Sequence, residues 1–185
     1  MIKQIVFFIQ YLLRFPVDLM RHNEVSFKSR IMSNVFLKNT KVGKYSFIGS
    51  YSDVNYAVIG NYTCIANGVV IGGMEHPYWD LSISPKLSSE YIYGKKTIIG
   101  NDVWIATGCI IKQGVKIGDG AVIGANSFVN KDVPPYAIVF GSPATVYKYR
   151  FSEDRIKRIQ KSEYWNNPPI LAKKIINEIK KEVDE

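Results

Sequence analysis

The 185-residue chain holds only two cysteines, Cys64 and Cys109, and only two histidines, His22 and His76. Two cysteines do not make the disulfide framework of a small secreted fold; as small buried hydrophobes inside a packed chain they suit a reducing compartment. Neither CxxC nor HExxH occurs, so no metal-ligand spacing is offered and no metal is expected. GxSxG, P-loop and helix-opening GxGxxG motifs are also missing, and no pair of carboxylates stands out for glycoside hydrolysis. Long apolar runs are lacking: the uninterrupted stretch Ile5 to Ile9 falls far short of the ~20 residues that cross a bilayer. No small-residue cleavage site follows it as a signal peptide requires. Lys plus Arg is 24 against 16 Asp plus Glu, a net charge of +8. No basic run interleaved with aromatics marks a nucleic-acid face, so the charge points to a phosphorylated ligand or a membrane surface instead. Proline is sparse and 46% of residues are hydrophobic, which suits a packed globular chain and argues against disorder.

What is present is a period. Aliphatic residues stand at Ile99, Ile105, Ile111, Ile117, Ile123 and Val129, each six after the last. Four positions after the first five stand Val103, Cys109, Val115, Ala121 and Ser127, all small or β-branched. Six fits neither a helix nor a strand that runs straight on. It fits short strands joined by corners, and Gly, Asn and Asp between the aliphatic positions tolerate the tight turns. Hexad repeats of this kind mark parallel β-helices, in which each unit buries its apolar side only by stacking on the next. The same period opens weakly near Ile31 to Leu37 and runs through Val42, Ile48 and Val54. Ile59 follows after five residues, which predicts one tightened corner, and Ile65 and Ile71 resume the step of six.

The pattern stops from Gly73 to Thr97. A stretch of that length without repeat inside a regular stack is more often functional than idle. It carries His76, two prolines, Trp79 and the tyrosines Tyr78, Tyr91 and Tyr93, a composition for a projecting loop packed on the body or on a neighbouring subunit. Pro134-Pro135 is expected to end regular stacking, since proline cannot donate to the ladder. Ser152 can cap a helix whose first turn carries Glu153 and Asp154. A second helix is expected with Leu171, Ile175, Ile176, Ile179 and Val183 on one side. At the other end, Ile2, Ile5, Ile9, Leu12 and Leu13 share one helical face. That face suits a helix capping the stack, or one resting on the inner membrane surface. The expected organisation is a helical cap over 1–30, a solenoid over 31–146 with the loop 73–97, and a helical tail over 147–185.

A lone histidine is more often structural than catalytic. His22 lies among polar neighbours at the end of the leading helix. His76 stands in the irregular excursion, beside Glu75 and before Pro77, where a rigid scaffold would present a general base.

The ordered set IGNDVWIATGCIIKQGVKIGDGAVIGANSFVNKDVPPYAIVFGSPA, followed by RFSEDRI and Tyr164-Trp165-Asn166, resembles the hexapeptide-repeat acyltransferases. The ending is similar to their xenobiotic branch, which acetylates chloramphenicol and streptogramins. The EHP loop with LSISP is more like the polysaccharide O-acetyltransferases. The resemblance implies an all-β solenoid, a left-handed parallel β-helix with an N-terminal capping helix, one protruding loop and C-terminal helices. It implies a homotrimer with active sites between subunits, acetyl-CoA as donor, and His76 as the base that deprotonates an acceptor hydroxyl. Trp104, Ala106 and Thr107 match the segment beside the thioester, where the Ala106 or Thr107 amide would meet the oxyanion. Ala125, Asn126 and Ser127 match the next coil along the pantetheine arm. Lys131, Ser142, Pro143 and Lys148 match the end that holds the nucleotide. Ala106 departs from the WIG common in the family. The implied activity is cytoplasmic O-acetylation of a sugar hydroxyl in polysaccharide biosynthesis, with three alternatives: an antibiotic acceptor, an amino-sugar nitrogen, or a non-catalytic glycan-binding scaffold. The zinc carbonic anhydrases built on the same repeat need three histidines per metal, more than this chain has.

Overall fold

The computed structural model describes residues 2–88 and 94–181, with side chains from residue 6 onward apart from residue 7. The Ile2 and Ile5 side chains, Tyr91, Tyr93 and Val183 lie outside the described residues. Helix α1 spans Ile2–Met20. Short strands, most of two residues, then wind into a parallel β-helix with three faces. The first face stacks Glu24–Val25, Lys41–Val42, Ala57–Ile59, Thr97–Ile99 and Lys116–Ile117. The second runs from Arg30–Ile31 through Phe47–Ile48, Cys64–Ile65, Trp104–Ile105 and Val122–Ile123 to Ala137–Gly141. The third stacks Phe36–Lys38, Asp53–Asn55, Val70–Ile71, Ile110–Ile111 and Phe128–Val129.

In each two-residue rung the second side chain points in and the first points out, as strand alternation requires. Ile48, Ile65, Ile71, Ile105, Ile111 and Ile123 are thus fully enclosed and form one continuous core. The residue four positions on is enclosed too: Ser46 Oγ donates to the Gly60 carbonyl at 2.8 Å, and Thr63 Oγ1 to that of Gly100 at 2.8 Å. Corner carbonyls inside the prism therefore find donors without water. The solenoid begins earlier than the hexads suggest: Glu24–Val25 already pairs with Lys41–Val42 and Val25 packs on the core, so the leading helix ends near Met20 rather than at residue 30.

The loop leaves without breaking the stack. Val58 pairs with Ile98, a step of 40 residues, where neighbouring steps take 17 (Lys41 to Val58) and 18 (Ile98 to Lys116). Pro134-Pro135 does not end the stacking, contrary to the expectation. Val133 still bridges to Ile117 and Ala137–Gly141 still pairs with Val122–Ile123, because the two prolines occupy a corner where no ladder donor is required. The stack ends at Ala144–Tyr149, which folds back antiparallel on Ala137–Gly141.

Helices α2 (Glu153–Ser162) and α3 (Pro169–Lys181), joined by a 3-10 turn at Tyr164–Asn166, then return along the prism. Ser152 is the N-cap of α2 in extended conformation, though its side chain makes no capping hydrogen bond. Tyr164, Trp165, Ile159 and Ala172 form a second core with Tyr136. The Tyr62 hydroxyl donates to the Asn167 carbonyl at 2.8 Å, tying tail to solenoid. Ile175, Ile176 and Ile179 join that core, while Leu171 is exposed.

Candidate active site

The loop histidine is built from turns. Gly72 closes the last regular corner with φ +69°, and a Cβ there would collide with the Asn55 carbonyl oxygen. Only glycine combines that backbone with that approach. Glu75 then pairs with Lys112 of the next coil at 3.4 Å. Immediately after His76 the chain reverses: the Tyr78 amide donates to the His76 carbonyl at 2.8 Å and the Asp80 amide to that of Pro77 at 3.0 Å. Asp80 accepts from the Leu81 amide at 2.6 Å. The Ser88 side chain, with the Leu81 amide, holds the Asp80 carboxyl below the usual carboxylate range. Tyr78 and Trp79 meet edge to face at 5.0 Å.

These turns bring the Ile83 carbonyl to 2.8 Å from His76 Nδ1. A carbonyl oxygen can only accept, so the proton sits on Nδ1 and the lone pair on Nε2. The ring itself is exposed. It is thus a fixed tautomer with a free basic nitrogen, the arrangement general-base chemistry needs. The partner in this bond is main chain, and Ile83 could not be picked out from sequence, because a backbone carbonyl has no residue signature. Next to the loop base, a cavity of about 350 Å³ is walled by Met74, Glu75, Ile110, Gln113 and Phe128.

The expected cofactor residues fall into two groups. Trp104 points outward from the second face, half exposed, between Cys64 and Val122 of adjacent coils. Ala106, Thr107, Ala125 and Asn126 follow at the corner between second and third faces; Thr107, Ala125 and Asn126 are exposed. The Ala106 amide is committed to the Ile123 carbonyl at 3.0 Å, so it is not free to meet an oxyanion. The Thr107 amide has no hydrogen-bond acceptor among the described residues, and it remains the oxyanion candidate of that pair. Ser127 is turned inward and fully enclosed, donating to the Gly124 carbonyl at 2.6 Å and accepting from the Gly141 amide at 3.2 Å. Its side chain ties the corner to the terminal hairpin and cannot line a surface groove. Lys131 and Pro143 come together on the wall of a cavity of about 350 Å³ at the hairpin end. Ser142 and Lys148 are exposed on the same hairpin, with Lys148 Nζ over the Tyr147 ring at 5.7 Å.

His76 and the Thr107 segment emerge at different corners of the prism, with the third face between them, and no hydrogen bond among the described residues joins them. His22 sits at the end of α1 with φ +55°. Among the described residues no cluster of His, Cys, Asp and Glu could hold a metal ion. Both cysteines are free, but only Cys109 is buried; Cys64 faces outward beside Trp104 because it takes the first, outward position of its rung. Partial burial, then the nearby Asp102 charge, push the Cys64 thiol up, which keeps it protonated and a poor nucleophile. A further cavity of about 410 Å³ lies between the tail helices and the corner carrying Tyr62, Asp102 and Tyr136, and none of the expected site residues reaches it.

The profile of the family described as bacterial transferase hexapeptide (six repeats) matches residues 96–131. A chloramphenicol acetyltransferase of Morganella morganii is 37% identical over 174 residues, covering 77% of this chain and 83% of that protein. Among solved structures, a hexapeptide-repeat acetyltransferase of Vibrio cholerae complexed with acetyl-CoA superposes with a TM-score of 0.65 at 26% identity, over 76% of this chain and 78% of the other. A maltose O-acetyltransferase of Clostridium difficile does so with a TM-score of 0.64 at 28% identity, over 77% of each chain.

Proposed function

This chain belongs to the hexapeptide-repeat acetyltransferases and takes its acyl group from acetyl-CoA; from that premise we propose that it acetylates a sugar hydroxyl of a surface polysaccharide or its precursor, with His76 as general base. The observation that carries the reading is the hydrogen bond from His76 Nδ1 to the Ile83 carbonyl at 2.8 Å, which leaves Nε2 as the acceptor. In the reaction Nε2 takes the hydroxyl proton while the oxygen attacks the thioester carbon. The tetrahedral oxyanion is met by the Thr107 amide. Collapse breaks the C–S bond, and the proton on Nε2 passes to the departing sulfur of CoA. No acyl-enzyme is required, since the thioester is already activated and Cys64 is held as the thiol.

The loop supports a site shared between subunits of a homotrimer. Leu81 is wholly exposed and Ile83 and Leu87 largely so, an apolar loop flank that a neighbouring prism would cover. Closing such a contact would bring His76 of one protomer to the Thr107 corner of the next. Acetyl-CoA as donor fits a cytoplasmic reaction. The test is acetyl-CoA turnover on glycan precursors: His76→Ala should lower kcat about a hundred- to ten-thousand-fold, while acetyl-CoA still raises Tm as in the parent. Unchanged turnover in that variant removes His76 from the mechanism. A second reading, an antibiotic acceptor, is favoured by the 37% identity to the Morganella morganii enzyme. Turnover on chloramphenicol or a streptogramin exceeding that on every sugar would select it.

A further inference from the structure

Helix α1 is docked the wrong way round for a cap. The residues turned to the solenoid are polar: Asp18, only 4% exposed, accepts from Arg14 Nε at 3.0 Å and from Asn23 Nδ2 at 3.0 Å. Asn23 in turn donates to the Leu37 carbonyl at 2.9 Å. Gln10, Tyr11 and Arg14 abut the first coil at Val25, Ser29 and Ile31. At 100° per residue, the apolar residues occupy the opposite half of the helix. Phe8, Ile9, Leu12, Leu13, Leu19 and Met20 are all about half exposed or more, Leu13 to 75% and Met20 to 73%. An amphipathic helix that caps a core would bury this face; here it faces away from the protein.

Charge follows the same end of the molecule. The first 50 residues hold eight Lys and Arg against Asp18 and Glu24, a net +6 of the chain's +8. Both acids are already paired, Asp18 with Arg14 and Glu24 with Lys41. Lys28, Lys38 and Lys44 of the first coils are exposed, with Phe27 beside Lys28 at 60% exposure. No described helix is long and apolar enough to cross a membrane.

We infer that α1 and the first coils form a docking surface for an anionic phospholipid bilayer, with the helix lying along the interface. An apolar half-cylinder at the end of the chain that carries Lys28, Lys38 and Lys44, which have no ion-pair partner among the described residues, fits acyl chains beneath acidic headgroups. A second copy fits poorly, since matching the same ends would set +6 against +6. This inference does not depend on which acceptor is acetylated.

The test mixes the full-length protein with vesicles of phosphatidylcholine alone, or of phosphatidylcholine with phosphatidylglycerol, and sediments them. Co-sedimentation with the anionic vesicles, falling as salt is raised, is the expected result. The double variants Leu12→Glu/Leu13→Glu and Lys28→Glu/Lys44→Glu should each partition about tenfold more weakly, with Tm and acetyl-CoA binding unchanged. The lysine pair leaves the helix intact, so it keeps the test open should the leucine pair fail to fold. Co-sedimentation with neither vesicle overturns the inference, as does binding indifferent to headgroup and salt. Self-association that Leu12→Glu/Leu13→Glu abolishes would assign the face to a second copy and overturn it too.

Discussion

Cys64 stands beside Trp104 on the outward second face, near the expected path of a thioester, and its protonated state decides whether it takes part. Cys64→Ser should retain acetyl transfer, and mass spectrometry of the parent under turnover should find no acetyl group on Cys64. Tyr136 presents a different residue-scale problem. It is 1% exposed, its hydroxyl has no hydrogen-bond partner among the described residues, and burial drives that hydroxyl's pKa upward. Tyr136→Phe removes an unsatisfied group and keeps the ring, so the unfolding free energy from urea titration should stay or rise, by up to about 1 kcal/mol. At this scale the sequence was legible where context isolated a side chain and illegible where main chain did the work. His76 stood out because the repeat stops around it; Ile83 did not, because any residue has a carbonyl. Ser127 stood in the row of small residues four after each aliphatic position, and the family resemblance put it beside the cofactor; which way that row faces was not legible, and its side chain is enclosed.

At the scale of elements, six-residue spacing read through to the fold because each inward aliphatic residue closes one side of the prism. One corner departs from it: Leu37 to Val42 and Val54 to Ile59 each take five residues, and there Asn39 and Tyr56 adopt φ near +50°. Val25 was hidden and Ile31 showed only weakly because Ser26 and Met32 follow them, without the glycine that marks many later rungs. The leading helix was read for its apolar face, but the face that binds the stack is the polar one, selected by the Asp18 hydrogen bonds. Gly72 is where the loop is set on its course. Gly72→Ala forces a left-handed alanine, which costs about 1–2 kcal/mol, and adds a collision with Asn55. The variant should unfold at lower urea concentration, and its loop should be cut faster by protease.

For the whole molecule, the question is how separate corners come to share one chemistry. The trimer proposed above needs an apolar loop flank, and Leu81 is the most exposed apolar residue of the described part of the loop. On that proposal Leu81→Asp should shift the mass measured by light scattering towards monomer and lower kcat, with each protomer still folded by circular dichroism. Nothing in the hexads announces this, since a repeat specifies how one coil meets the next and not how one prism meets another.

The hairpin at the far end has a consequence for assembly. A parallel stack with a bare last rung would invite another chain's first rung to continue it, and the rods could join into filaments. Ala144–Tyr149 runs the opposite way and occupies that rung on the second face. An incoming parallel strand meets a reversed neighbour there, so on that face the ladder does not simply carry on from one molecule into the next.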